Sequence, residues 1–285
     1  MKTSKYENYR KILDKKTIKE TASVVGVASS LKVWDRIIGS LLIIFFGTPI
    51  LYLAGVSLAG NFASFSEDVN VISFSTAQAV DMVARNISPF NKFLIALLIV
   101  VTITNVFPKG NLPRQTFFGL FNMDFLLICF CVSIVPLLFG LTLGAYGWLG
   151  LIFQSLFAVY MIGINLVKIT SMIKYGDKFK GFNAHILATV IITLLAIMSN
   201  HFVFRIGYSN FVPNKIELIT GLGVLIWSVI CVIFISMMTK YTVYASYFLK
   251  YANQFYRDLD FTDKEWYGKR KAKKLQRKKE KEKNK

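Results

Sequence analysis

Apolar residues along this chain gather into uncharged blocks instead of alternating or recurring on one helical face. Six blocks run over roughly residues 37–59, 90–107, 117–139, 146–167, 185–204 and 218–239. A helix needs about 20 apolar residues to cross ~30 Å of hydrocarbon, so each block predicts a membrane-spanning helix. The second is short in its core, Phe93 to Phe107, and must borrow Pro89, Phe90 and a snorkelling Lys92; a re-entrant segment is the alternative there. Gly47, Thr48 and Pro49 are expected to bend the first block, and Pro136 and Gly140 to end or kink the third. Tyr146 and Trp148 fall where an interfacial aromatic belt would place them, and Gly221 and Gly223 permit close approach of the sixth helix.

The pattern changes between and after the blocks. Ser75 to Arg85 reads as a short amphipathic helix with Ala77, Val80 and Ala84 on one face, lying on the outer membrane surface or capping the bundle. Beyond the last block, Tyr241, Tyr244, Phe248, Tyr251 and Phe255 step by three and four, an aromatic seam suited to the interface or to another protein. From Gly268 to Lys285 there are eleven Lys/Arg, two Glu and almost nothing apolar, which predicts a disordered or loosely helical basic tail. The organisation is therefore a basic N-terminal segment (1–36), a six-span domain (37–239), an aromatic extension (240–267) and the tail (268–285).

Composition sharpens orientation more than it does fold class. Of 285 residues 54% are hydrophobic, a fraction that soluble domains nearly reach, so the clustering carries the membrane assignment. The net charge of +18 is distributed unevenly: with both termini inside, 30 of the 34 Lys and Arg lie in the N-terminal segment, the inner loops and the C-terminal region. Only Arg85, Lys92, Arg205 and Lys215 remain outside, which the positive-inside rule reads as cytoplasmic termini. The expected fold is an all-α membrane protein, a six-transmembrane-helix bundle, in the cell membrane. No signal peptide is visible and the first block is read as retained. Cys129, Cys131 and Cys231 lie inside apolar blocks without a CxxC pattern and are expected to act as small core hydrophobes. Two halves of three spans would run in opposite senses, as in inverted-repeat transporters, but no motif recurs between them.

The sequence holds no HExxH, GxSxG or Walker loop, and its two histidines, His185 and His201, fall at opposite ends of the fifth block. Catalysis and a bound cofactor are not expected. Asp124 is the one acid inside an assigned span, and matching depths places Asn105, Asn122, Asn165 and His185 near it in the cytoplasmic third. These five residues are a candidate polar vestibule; the plainer reading is a partly solvated boundary acid with asparagines bridging helices. Lys269, Arg270, Lys271, Lys273, Lys274, Arg277, Lys278 and Lys279 are expected to meet anionic lipid headgroups, with nucleic acid reached only through non-specific contact. Together these features point to a non-catalytic subunit of a transport or export assembly with protein partners. The competing expectation is a membrane scaffold or biogenesis factor contacting lipid, ribosome or partner proteins through the tail.

Overall fold

The computed structural model describes residues 5–24, 26–68, 71–107, 109–175, 182–206 and 215–283, and these are helical with no strand among them. Two short helices, α1 (Lys5–Ile12) and α2 (Lys15–Val24), lead into a tight turn at Gly26–Ser29. Four stretches are then long and apolar enough to cross a membrane. The first is α3 (Val33–Ser66) and the second α4 (Phe74–Val106). The third joins α5 (Leu112–Ser133) to most of α6 (Val135–Tyr175), and α7 (Phe182–Ile206) follows with a shorter apolar part, Val190–Asn200. The fourth is Lys215–Lys250, made of α8 (Lys215–Thr220) and α9 (Gly223–Lys250). The chain continues through α10 (Ala252–Asp258), α11 (Asp263–Tyr267) and α12 (Lys269–Lys283).

The burial pattern inverts that of a water-soluble globule. Phe45, Phe46, Leu53, Leu156 and Val159 are each more than 60% exposed, whereas Thr102, Thr116, Thr142, Gln154 and Asn200 are wholly buried. Exposed apolar and buried polar side chains minimise free energy when the surrounding solvent is hydrocarbon, and the chain is membrane-embedded. Inside the bundle, α6 packs along α4 and α9, and α9 also lies against α5.

Several expected boundaries move. Ser75–Arg85 is not a separate helix: Ser73 caps α4 by accepting the Thr76 amide, and the helix runs unbroken for 33 residues, about 50 Å. The second block is thus part of a helix long and apolar enough to cross, and the leading face, Ala77, Val80 and Ala84, caps the bundle against Ala59, Ala63 and Leu141. The third block bends at Ile134; Pro136 follows as the second residue of α6, where no intrahelical N–H is needed. Gly140 makes no kink. With Gly144 it forms a small-xxx-small pair lying directly on α4, where a Cβ at Gly140 would come within 2.3 Å of the Val80 Cα and one at Gly144 within 2.6 Å of the Thr76 hydroxyl. The reversal comes at Gly147, whose φ of 67° and ψ of −171° favour glycine. Tyr146 therefore leaves the expected aromatic belt: it is buried and donates to the Leu218 carbonyl at 2.7 Å, while Trp148 stays exposed.

In α3 the bend around Pro49 is absorbed by two π-helical turns, Ile43–Gly47 and Leu53–Ser57. The aromatic seam is covered by the chain itself. Tyr244, Phe248 and Phe255 form a buried cluster with Leu13, Ile18, Phe261 and Trp266, and Tyr251 packs against its edge. Tyr9 stacks on Tyr247 with ring centres 3.9 Å apart, and Phe248 meets Trp266 edge-on at 5.5 Å. Tyr241 packs separately, against Ala28, Leu120 and Ala245. Of the two expectations for the basic tail, the structure takes the helical one, Lys269–Lys283. The tail's Lys, Arg, Glu, Gln and Ala are good helix formers, Gly268 (φ 80°) sets its direction, Lys271 near its start holds the Gly110 carbonyl and Lys279 in its second half holds Asp263, each at 3.0 Å.

Candidate functional site

Two buried polar clusters interrupt the apolar bundle, one at each end. The first forms where the end of α4, the start of α5 and the start of α3 meet the Gly26–Ser29 turn. Arg36 is 1% exposed and donates through Nε and Nη2 to the Val106 carbonyl, both at 3.1 Å, and through Nη1 to Ser30 O at 2.6 Å. A cation at the last carbonyl of α4 meets the negative end of a long helix dipole, which offsets part of its burial cost. Asn105 Nδ2 donates to Ala28 O at 3.0 Å, and Gln115 Nε2 reaches the same carbonyl at 3.3 Å. Thr102 donates to Asn122 Oδ1 at 3.0 Å. Lys109 closes this end: its Nζ donates to Thr104 O at 2.7 Å and sits 4.7 Å from the centre of the Phe118 ring. Burial, and then the Arg36 charge, push the Lys109 ammonium below its ordinary pKa. The turn backbone lies so close that a Cβ on Gly119 would stand 2.9 Å from Ala28 O. This end is plugged by the chain's own residues 26–30.

The second cluster surrounds the break between α8 and α9. The Gly221 carbonyl, released from helical bonding, accepts from Thr142 Oγ1 at 2.8 Å and Gln154 Nε2 at 3.0 Å. Gln154 also lies 3.5 Å from Asn200 Oδ1. Glu217, 1% exposed, accepts the Ser73 amide at 2.6 Å and ties α8 to the cap of α4. A broken helix with carbonyls, amides and an acid gathered inside an apolar bundle is an arrangement able to hold a polar solute or ion.

The five residues matched by depth do not converge. Asn105 and Asn122 belong to the first cluster, each with its own partner. Asp124 turns the other way and accepts from Thr242 of α9. Asn165 donates to the Met161 carbonyl one turn earlier in its own helix, at 2.7 Å. The side chain of His185 lies outside the described residues, as do those of His201, Lys168 and Lys174 and the segment holding Lys178 and Lys180. Along the tail, Lys269, Arg270, Lys273, Lys274 and Lys278 are exposed, and Arg277 lies on the same helix.

Three participants escaped the sequence reading. Glu217 stands one residue before the assigned start of the sixth block; flanking Ile216, Leu218 and Ile219 mark it as embedded. Arg36 reads from the sequence only as an orienting charge. Gly140 and Gly144 stand at GxxxG spacing, a signal for close helix approach. Among the described residues no three His, Cys, Asp or Glu side chains gather as a metal site would require. No family model, no curated protein and no solved structure matches this chain.

Proposed function

We propose that the chain is a non-catalytic, six-span subunit of a transport or export assembly in the cell membrane, with both termini in the cytoplasm. Reversal at Gly147 divides the long third stretch into two crossings, and α7 supplies another, which supports six. Packing of residues 6–18 against 244–267 supports placing both termini on one side, and the excess of Lys and Arg there supports the cytoplasmic one. The observation that carries the transport reading is the Gly221 break, where a freed carbonyl gathers Thr142, Gln154 and Asn200, with buried Glu217 one turn earlier in the chain. No nucleotide-binding loop is present, so energy would come from a partner subunit or an ion gradient.

The scaffold or biogenesis reading is favoured by a different observation, the plug at the other end, where Asn105 and Gln115 bind the Ala28 backbone. The two readings differ in the wetness of the broken helix. Asn200→Cys, in a background with Cys129, Cys131 and Cys231 replaced by Ala, would be treated with a membrane-impermeant thiol reagent in intact cells. Labelling supports a solute path. A cysteine that stays unreactive, in protein that still inserts, supports the scaffold.

A further inference from the structure

At the same end of the molecule as the terminal helices, a cleft of about 510 Å³ opens between the start of α5, the end of α9 and one face of α10. Its polar lining is Asn111, Arg114, Lys250, Asn253, Gln254 and Arg257, and no acid contributes to it. Among the described residues no carboxylate pairs with Arg114, Lys250 or Arg257. Three other cations at this end do meet carboxylates: Lys15 and Lys19 reach Glu265 at 3.2 and 2.7 Å, and Lys279 reaches Asp263. Asp258, next to Arg257 in sequence, is taken by Tyr6 at 2.7 Å and by Arg10 on the other face of α10.

We propose that this cleft binds a phosphate group, that of an anionic phospholipid headgroup. Two guanidinium forks and an ammonium match the geometry and charge of a phosphate, and the three amide side chains can complete its hydrogen bonding. Depth selects a lipid as its bearer. Arg114 is the third residue of α5 and Lys250 the last of α9, helices that both enter the membrane, so the cleft sits where hydrocarbon gives way to headgroups. Leu249 and Ala252 in the lining offer apolar surface toward the acyl chains. The site is separate from the tail: it is a shaped recess, whereas α12 presents charge along an exposed rod.

The test uses full-length protein in a neutral detergent, titrated with short-chain phosphatidic acid, short-chain phosphatidylcholine and inorganic phosphate. Wild type should bind phosphatidic acid and not phosphatidylcholine. R114Q/R257Q should bind at least tenfold more weakly, while K273Q/K274Q in the tail should bind as wild type does. Inorganic phosphate that fails to compete confirms a lipid occupant; competition at equal concentration would name a soluble phosphate at the same site. Equal affinity of wild type and R114Q/R257Q, no binding by wild type, or an equal loss in the tail variant would each overturn the proposal. Should the double variant fold poorly, Lys250→Gln at the exposed helix end is measured instead, with at least a threefold loss expected and unchanged affinity counting against the site.

Discussion

Asn91 of α4 donates from Nδ2 to the backbone carbonyl of Gly55 at 2.8 Å, joining the second crossing helix to the first at a π-helical turn. The wider turn shifts the register of α3 and turns a main-chain acceptor toward its neighbour, so a backbone irregularity becomes an interhelical bond. A side chain at Gly55 has no room: its Cβ would lie 2.9 Å from Asn91 Nδ2 and 3.2 Å from Ser133 Cα. Gly55→Ala should destabilise the protein by about 1–3 kcal/mol, read as a lower thermal midpoint in detergent. An unchanged midpoint would show that α3 can move aside.

Arg36 should be costly to replace. Arg36→Met keeps the length of the side chain but leaves the Val106 and Ser30 carbonyls without their donor, a loss of about 2–4 kcal/mol. Lower yield of folded protein, with proteolysis beginning near residues 26–32, would bear this out. Stability equal to wild type would mean that the plug is held by Asn105 and Gln115 alone.

The terminal cluster should respond to acid. Lys19, with Lys15 and Thr262, holds the Glu265 carboxyl down at about 2, below its ordinary value of 4.5. A depressed folded-state pKa gives stability that is complete above the unfolded value and is lost as pH falls through the folded one. Docking of α1 and α2 should therefore weaken between about pH 4.5 and 2, and Trp266 fluorescence should report it. Glu265→Gln should reduce the pH dependence over that interval, leaving the part carried by Asp14 and Asp263, whose carboxyls are also held below their ordinary value.

Orientation is open to a direct check. Gln78→Cys should react with an impermeant thiol reagent applied to intact cells, and Lys264→Cys only after permeabilisation, both in the cysteine-free background. The reverse pattern would invert the topology.

The tail should act through charge. Truncation after Tyr267 should leave the bundle inserted, while full-length protein should bind vesicles of anionic lipid more strongly than the truncated chain. That difference should fade as salt shortens the Debye length from ~10 to ~3 Å. A difference that persists at high salt would point to specific docking.

What was legible in the sequence was mostly solvent and length. Blocks of apolar residues located the four long apolar stretches because hydrocarbon tolerates little else. Rotation about those helices was not legible. Asn122 and Asp124 are two positions apart, about 200° around a helix, so one faces α4 and the other α9 despite nearly equal depth. Partners distant in sequence were also hidden. The spacing of Tyr244, Phe248 and Phe255 announced an aromatic seam suited to the interface or to another protein, but its cover within the chain, Leu13 and Ile18, lies more than 200 positions away. Tyr146 was misplaced for a related reason: an aromatic near a helix end usually marks the interface, and only the Gly147 reversal turns this one inward.

The pairing of residues 6–18 with 244–267 also imposes an order on synthesis. Leu13 and Ile18 cannot be buried in their final position until Phe248, Phe255 and Trp266 have been made. Every crossing helix must enter the bilayer in between. During that interval Leu13 and Ile18 stay exposed to water, and their contact can close only after the intervening crossing stretches have been laid down.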